Sequence, residues 1–187
     1  RGSVRRAAGR DPVVVRCTGH DGHLDRPLRV ADALEDGDQI GLARCRLEVR
    51  GTVNGVTVYD DFAHHPTAIG LAIDGLRQKY PSRRLWVIFE PRSNTTRRNI
   101  FQDDLAIALK KADCVVIPSI PDPEKVAENE RLDPEKLVAD ISSAGANSWY
   151  LGEVEEIVEH VSSLAQSGDV IAILSNGGFG GIHEKLL

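Results

Sequence analysis

Val56-Thr57-Val58-Tyr59-Asp60-Asp61-Phe62-Ala63-His64-His65-Pro66-Thr67 carries a strand into a helix and sets two carboxylates and two imidazoles at the joint. Upstream, Leu47 to Val53 and Val56 to Tyr59 flank Asn54-Gly55. An Asn-Gly pair between β-rich runs predicts a hairpin, because a type I′ turn needs positive φ at both central residues. Along the second strand Val56, Val58 and Asp60 alternate with Thr57, Tyr59 and Asp61, so the two carboxylates point to opposite faces. One can line a site while the other serves the backbone. Pro66 suits a first helical turn, where its missing N–H would be unpaired anyway. Ile69, Leu71, Ile73 and Leu76 then supply the inward side of a helix running to Tyr80.

The rhythm continues downstream. Arg84 to Phe89 is a nearly continuous apolar strand, followed by a helix over Thr96 to Lys111 with Ile100, Leu105, Ala108 and Leu109 inward. Cys114 to Ile117 is the next buried strand, with Cys114 in the core, and Pro118 to Pro123 is a proline-rich loop. Asp133-Pro134 reads as a cap and first helical residue, with Leu137, Val138 and Ile141 inward and Gly145 at the end. Ser148 to Leu151 is a short strand. Glu153 to Gln166 is a helix with acidic first turns, and Gly168 lies just beyond it. Val170 to Leu174 is a last buried strand, and a short helix begins at Ile182. Strand, loop and helix thus recur about four times. Apolar strands of this kind are covered on both faces by crossover helices. The expected fold is an α/β three-layer, Rossmann-like domain with a largely parallel sheet and the antiparallel hairpin at its margin.

Residues 1–44 differ in character. Arg1 to Arg10 holds four arginines among Gly, Ser and Ala. Pro12 to Cys17 suggests a short strand, Leu28 to Leu34 a turn or two of helix, and His20 and His23 a polar turn around Asp21-Gly22. The expected division is a poorly defined lead over 1–44 and one domain over 45–187.

The chain has 187 residues, 41% of them apolar, which suffices for one core. A net charge of −5 argues against nucleic-acid binding by bulk electrostatics. Three scattered cysteines suit a reducing cytoplasm better than a disulfide framework. No apolar run reaches the roughly 18 residues of a membrane span. The chain begins at Arg1 and contains no methionine, so it is expected to be a piece of a longer protein. It also has no G-x-x-x-x-G-K-[ST], so a phosphate loop must come from elsewhere. His64 and His65 are adjacent, without the spacing that shares a helical face, and no cysteine pair lies near. Zinc is therefore not expected, nor is any other metal ligand set in this chain.

Ligands of such sheets bind beyond the carboxyl ends of the strands. Three polar loops fall there: Asp60–Thr67, Glu90–Thr96 and Ser175–His183. Arg92 can grip a carboxylate with its two-pronged guanidinium. Ser93 and Asn94 can orient polar groups. Four glycines around Phe179 could offer bare backbone N–H groups to an anion. Arg97 and Arg98 are expected on the following helix, solvated.

Taken together, Arg46-Leu47-Glu48, Asp60-Asp61-Phe62-Ala63-His64-His65-Pro66-Thr67, Glu90-Pro91-Arg92-Ser93-Asn94-Thr95 and Ser175-Asn176-Gly177-Gly178-Phe179-Gly180-Gly181-Ile182-His183 resemble the C-terminal domain of the Mur ligases. The resemblance covers about residues 45–187 and is nearest to the murein peptide ligases. The alanine-adding muramate ligases share the first of the long segments but lack the other two.

The resemblance implies an ATP- and Mg2+-dependent amide-forming reaction. In it, the lactyl carboxylate of UDP-N-acetylmuramate becomes an acyl phosphate and is attacked by the amine of L-alanyl-γ-D-glutamyl-meso-diaminopimelate. It also implies N-terminal and central domains of the same ligase as partners, the central one carrying the P-loop and the magnesium ligands. No complete catalytic set is then expected in this chain, which alone should not ligate. By resemblance, Arg46 reaches ATP phosphates, Asp61 accepts from the ribose, and Phe62 and His64 line the nucleotide. From the chemistry of its carboxylates, the peptide is assigned to Arg92, Ser93 and Asn94, with Ser175, Asn176, Gly177 and Gly178 beside them. The chain departs from the family at Cys45, where a second arginine is usual, and over residues 1–44. Two alternatives remain open at this point: the corresponding domain of a UDP-N-acetylmuramate–L-alanine ligase, and a non-catalytic nucleotide- or peptide-binding module.

Overall fold

The computed structural model of the protein describes residues 47–187. The readings placed on residues 1–44, and the role given to Arg46, lie outside the described residues.

A six-stranded mixed sheet organises the described chain. Its strands are β1 (Glu48–Val53), β2 (Val56–Asp61), β3 (Leu85–Phe89), β4 (Cys114–Ile117), β5 (Asn147–Tyr150) and β6 (Val170–Leu174), in the order β1-β2-β6-β3-β4-β5. Strands β2 to β6 run parallel, and only β1 is antiparallel, paired with β2 at the margin as the hairpin predicts. Asn54 and Gly55 both take positive φ, 50° and 82°. Gly55 is needed twice over, because a Cβ there would also lie 2.2 Å from Ser167 Oγ.

Residue type follows position in the sheet. The inner strands β3, β4 and β6 read LWVIF, CVVI and VIAIL and are buried throughout. The edge strands read EVRGTV and NSWY and are largely open to water. Polar edges also discourage further strand pairing.

Five helices cover the faces: α1 (Pro66–Lys79), α2 (Gln102–Leu109), α3 (Pro134–Ser143), α4 (Val154–Leu164) and α5 (Ile182–Leu186). On one face Ile69, Ile73 and Leu76 of α1, Leu105 and Leu109 of α2, and Leu137 and Ile141 of α3 meet Tyr59, Val87, Phe89, Val115 and Ala172. On the other, Ile157 and Val161 of α4 and Ile182 of α5 meet Val58, Trp86, Ile88, Val116 and Ile173. The three-layer expectation holds, with Cys114 in the core at 1% exposure. Leu71 is only half-buried, and Ala72 takes its inward place. Asp133 caps α3 by accepting from the Lys136 N–H, as read.

The segment Thr96 to Lys111 differs from expectation. The α-helix starts only at Gln102, after a turn and a short 3-10 stretch over Asn99–Phe101. Ile100, read as inward, is 62% exposed. The reason is tertiary. Arg98 is extended and bridges to Arg131, while the Arg97 carbonyl accepts from the Leu132 N–H. The backbone groups a first helical turn would use are spent on the β4–α3 connection.

Candidate functional site

The three polar loops leave the sheet side by side. Asp61, Leu174 and Phe89 close three adjacent parallel strands in register. Beyond them the Ser175 N–H donates to the Asp61 carbonyl (3.1 Å), and the Glu90 N–H donates to the Leu174 carbonyl (3.0 Å). After β2 and β3 the chain turns toward the α1–α2 face, and after β6 it turns toward α5 on the opposite face. Chain reversal of this kind opens a crevice at the strand tips.

One half of the rim is built on Asp61. Its Oδ1 accepts from the Ala63 N–H at 2.7 Å, while Oδ2 is buried and has no partner among the described residues. Burial pushes this carboxyl up to about 6; the Ala63 N–H opposes the shift and the Asp60 charge adds to it. Asp60 faces the other way, as the alternation predicts. It lies 3.3 Å from the Arg50 guanidinium, and 3.1 Å from His183 Nε2 without hydrogen-bond geometry. Phe62 is half-exposed, and its ring meets His64 edge-on at 5.2 Å. His64 Nδ1 lies 2.9 Å from the Phe62 carbonyl. His65 caps α1 by accepting from the Thr67 N–H, so of the two imidazoles one is structural and one borders the rim.

The other half is built on Arg92. Its guanidinium lies 3.6 Å from Glu90 Oε1, and its side chain keeps 45% of its surface open. The Ser175 hydroxyl donates to Glu90 Oε2 at 2.5 Å and accepts from the Gly177 N–H at 3.0 Å. Arg92 lies directly over Gly177, where a Cβ would come within 2.7 Å of its Cδ and Nε. Arg92, Ser175 and Gly177 are thus brought together, with Gly178 exposed beside them. Asn176 Oδ1 is buried without a partner. Ser93 serves its own loop, since its hydroxyl and N–H both bond Thr96. Asn94 stands in solvent. The glycine tract is not a row of bare donors: the Gly177 and Gly181 N–H groups are taken by Ser175 Oγ and the Gly178 carbonyl.

A family model, "Mur ligase, glutamate ligase domain", matches residues 45–177. The chain belongs to the Mur ligase family. It is 47% identical over 150 residues to the UDP-N-acetylmuramate–L-alanyl-γ-D-glutamyl-meso-2,6-diaminoheptandioate ligase of Escherichia coli K12, covering 78% of this chain and 30% of that protein. A UDP-N-acetylmuramate–L-alanine ligase of Bifidobacterium longum is 37% identical, covering 81% and 30%. Among solved structures, a murein peptide ligase from Psychrobacter arcticus 273-4 superposes with a TM-score of 0.66 at 35% identity, covering 84% of this chain and 34% of that one. The chain spans about 30% of the length of the curated relatives it matches.

Two features of this Mur ligase domain escaped the sequence. Arg97, expected in solvent, is 6% exposed and pairs with Asp122 at 3.1 Å. It belongs to a lock between the β3–α2 and β4–α3 connections. Gln102 exchanges two hydrogen bonds of 2.9 Å with the Asp133 backbone, Asn99 donates to the Asn129 carbonyl, and Arg98 pairs with Glu130. No local pattern announces a contact between segments some 30 residues apart. Glu90 is the other. A carboxylate directly after an apolar strand, two residues before an arginine, was the available signal. Among the described residues no three His, Cys, Asp or Glu side chains gather to hold a metal ion, and no helix is long and apolar enough to cross a membrane.

Proposed function

We propose that this chain is the C-terminal domain of a cytoplasmic, ATP-dependent ligase of peptidoglycan recycling. That ligase joins L-alanyl-γ-D-glutamyl-meso-diaminopimelate to UDP-N-acetylmuramate through an amide bond. ATP would supply the activation that makes the sugar's carboxylate an acylating group, and Mg2+ would offset phosphate charge. By resemblance, the ion is assigned to the central domain of the intact ligase. The nucleotide is assigned to Asp61 by resemblance, with Phe62 and His64 at its border. The buried Oδ2 of Asp61, without a partner among the described residues, is the acceptor left for a ribose hydroxyl once the rim opens to a ligand. Arg46 is assigned to the phosphates by resemblance. The peptide suits Arg92, whose half-open guanidinium can take a carboxylate bidentately, with Ser93, Asn94 and the Ser175–Gly178 turn around it.

The observation that carries the reading is the adjacency itself. An acceptor short of a donor and a half-open arginine issue from neighbouring strand tips. An amine held on the same rim as ATP would stand near the acyl phosphate made from ATP's terminal phosphate and the sugar's carboxylate. It attacks that group with release of phosphate, and positioning alone can lower a barrier by several kcal/mol.

Peptide affinity of the intact ligase carrying Arg92→Ala tests the assignment. Affinity should fall, and unchanged affinity would remove Arg92 from the site. Offering L-alanine in place of the tripeptide decides between the two relatives, since turnover with free L-alanine and not with tripeptide would move the proposal to the alanine-adding ligases. Without a P-loop the chain by itself should show no ATP-dependent ligation.

A further inference from the structure

Glu90 has no role in the site as assigned so far, yet it is the most heavily engaged carboxylate on the rim. It is 6% exposed at the tip of β3. Burying a carboxylate costs free energy that partners offset, and here, unlike at Asp61, both oxygens face one. Oε2 accepts from the Ser175 hydroxyl, and Oε1 faces the Arg92 guanidinium. Ser175 in turn accepts from the Gly177 N–H, and Gly177, lacking a Cβ, lets Arg92 lie against it. The contacts close a ring from Glu90 through Ser175, Gly177 and Arg92 back to Glu90. That ring ties the β3 and β6 loops, whose linked residues are 85 apart in sequence.

Resting on the peptide-site reading above, we infer that Glu90 is a positioning residue. It orients Arg92 from below, so that the open edge of the guanidinium faces a carboxylate of the incoming amine substrate. An arginine side chain carries four rotatable bonds, and holding it in one arrangement before binding removes an entropic cost that would otherwise fall on the substrate. Glu90 touches Arg92 on one side only, and nearly half of the arginine's side-chain surface remains free. The same carboxylate fixes the Gly177 backbone beneath the arginine through Ser175, so both the charge and the floor of the subsite depend on one side chain.

The test is steady-state kinetics of the intact ligase carrying Glu90→Gln, Arg92→Ala or both, with the tripeptide and with its analogue in which the diaminopimelate carboxylates are carboxamides. Glutamine keeps the volume and an acceptor for Ser175 but presents no charge to Arg92. Glu90→Gln should raise KM for the tripeptide by about fivefold, the scale of a partly exposed ion pair, with kcat and the KM for ATP unchanged. It should leave the carboxamide analogue unaffected, and it should add nothing on top of Arg92→Ala. Glu90→Asp, which keeps the charge, should recover part of the loss. If Arg92→Ala raises the tripeptide KM while Glu90→Gln does not, or if the two effects multiply, Glu90 does not position Arg92 and the inference is overturned although the site stands. If Arg92→Ala itself leaves the tripeptide KM unchanged, the site reading falls and takes the inference with it. A Glu90→Gln effect equal for tripeptide and carboxamide would mark a purely structural residue.

Discussion

Asp61→Asn gives the sharpest check on the rim. The native carboxyl titrates at about 6, against 3.8 for an unburied aspartate, with burial the main cause. Between those values the folded protein keeps a proton that the unfolded chain has released. The unfolded state then binds fewer protons, so stability falls as pH rises from about 4 to about 6 and is level above that. A shift of this size corresponds to at most about 3 kcal/mol. Asparagine removes the titration and keeps an acceptor for the Ala63 N–H. The assay is urea unfolding at fixed pH points between 4 and 8, followed by the fluorescence of Trp86 and Trp149. The stability of Asp61→Asn minus that of the wild type should grow by up to about 3 kcal/mol across this range, nearly all of it below about pH 6. Other acid-sensitive groups are common to both proteins and subtract out. A difference that stays flat with pH would refute the reasoning, because it would mean a hydrated carboxyl titrating at its ordinary value. Affinity for nucleotide in the intact ligase should move the opposite way, since the buried charge that costs stability is the one proposed to hold the ribose.

Asp169 gathers both prongs of Arg84, the Trp86 indole N–H and the Gln166 N–H at the amino end of β6. Burial alone would raise its pKa, but these donors outweigh it and hold the carboxyl below 3.8. Its contribution is therefore present above about pH 4 and is lost as pH falls through the lowered native value. Asp169→Ala should cost about 3 kcal/mol in urea unfolding at pH 7, and the deficit should shrink in acid. Gly177→Ala drives a Cβ to 2.7 Å from Arg92 Cδ and Nε. Because the flexible arginine yields, Tm should move by no more than a few degrees while KM for the amine substrate of the intact ligase rises. Gln102→Ala breaks both bonds to the Asp133 backbone and should cost about 2 kcal/mol, with faster amide exchange over residues 118–133 as the local readout.

The strands were legible because their signals are local. LWVIF and VIAIL admit little but burial on two faces, and Asn54-Gly55 admits little but a tight turn. The start of α2 was not legible, although its apolar spacing suited a helix from Thr96. Ile100 was read into that spacing yet stands 62% exposed, because the residues before Gln102 are held by Arg131 and Leu132 from another loop. The same lock buries Arg97, which composition places in water. In the candidate site, Arg92 was singled out by residue type and Asp61 by resemblance, and the surroundings of both differ from expectation. Ser93 turns inward to its own loop, and the glycine tract serves first as the floor under Arg92.

Taken alone, the amino-acid order determined the alternation of strand and helix, the hairpin, and which loops are polar, since each follows from hydrogen bonding and burial within a few residues. Strand order was decided only by tertiary packing. β6, last in the chain, inserts between β2 and β3 because an all-apolar strand is most stable with partners on both edges and helices on both faces. That insertion sets Ser175 between Asp61 and Glu90 and makes one rim of three loops far apart in sequence.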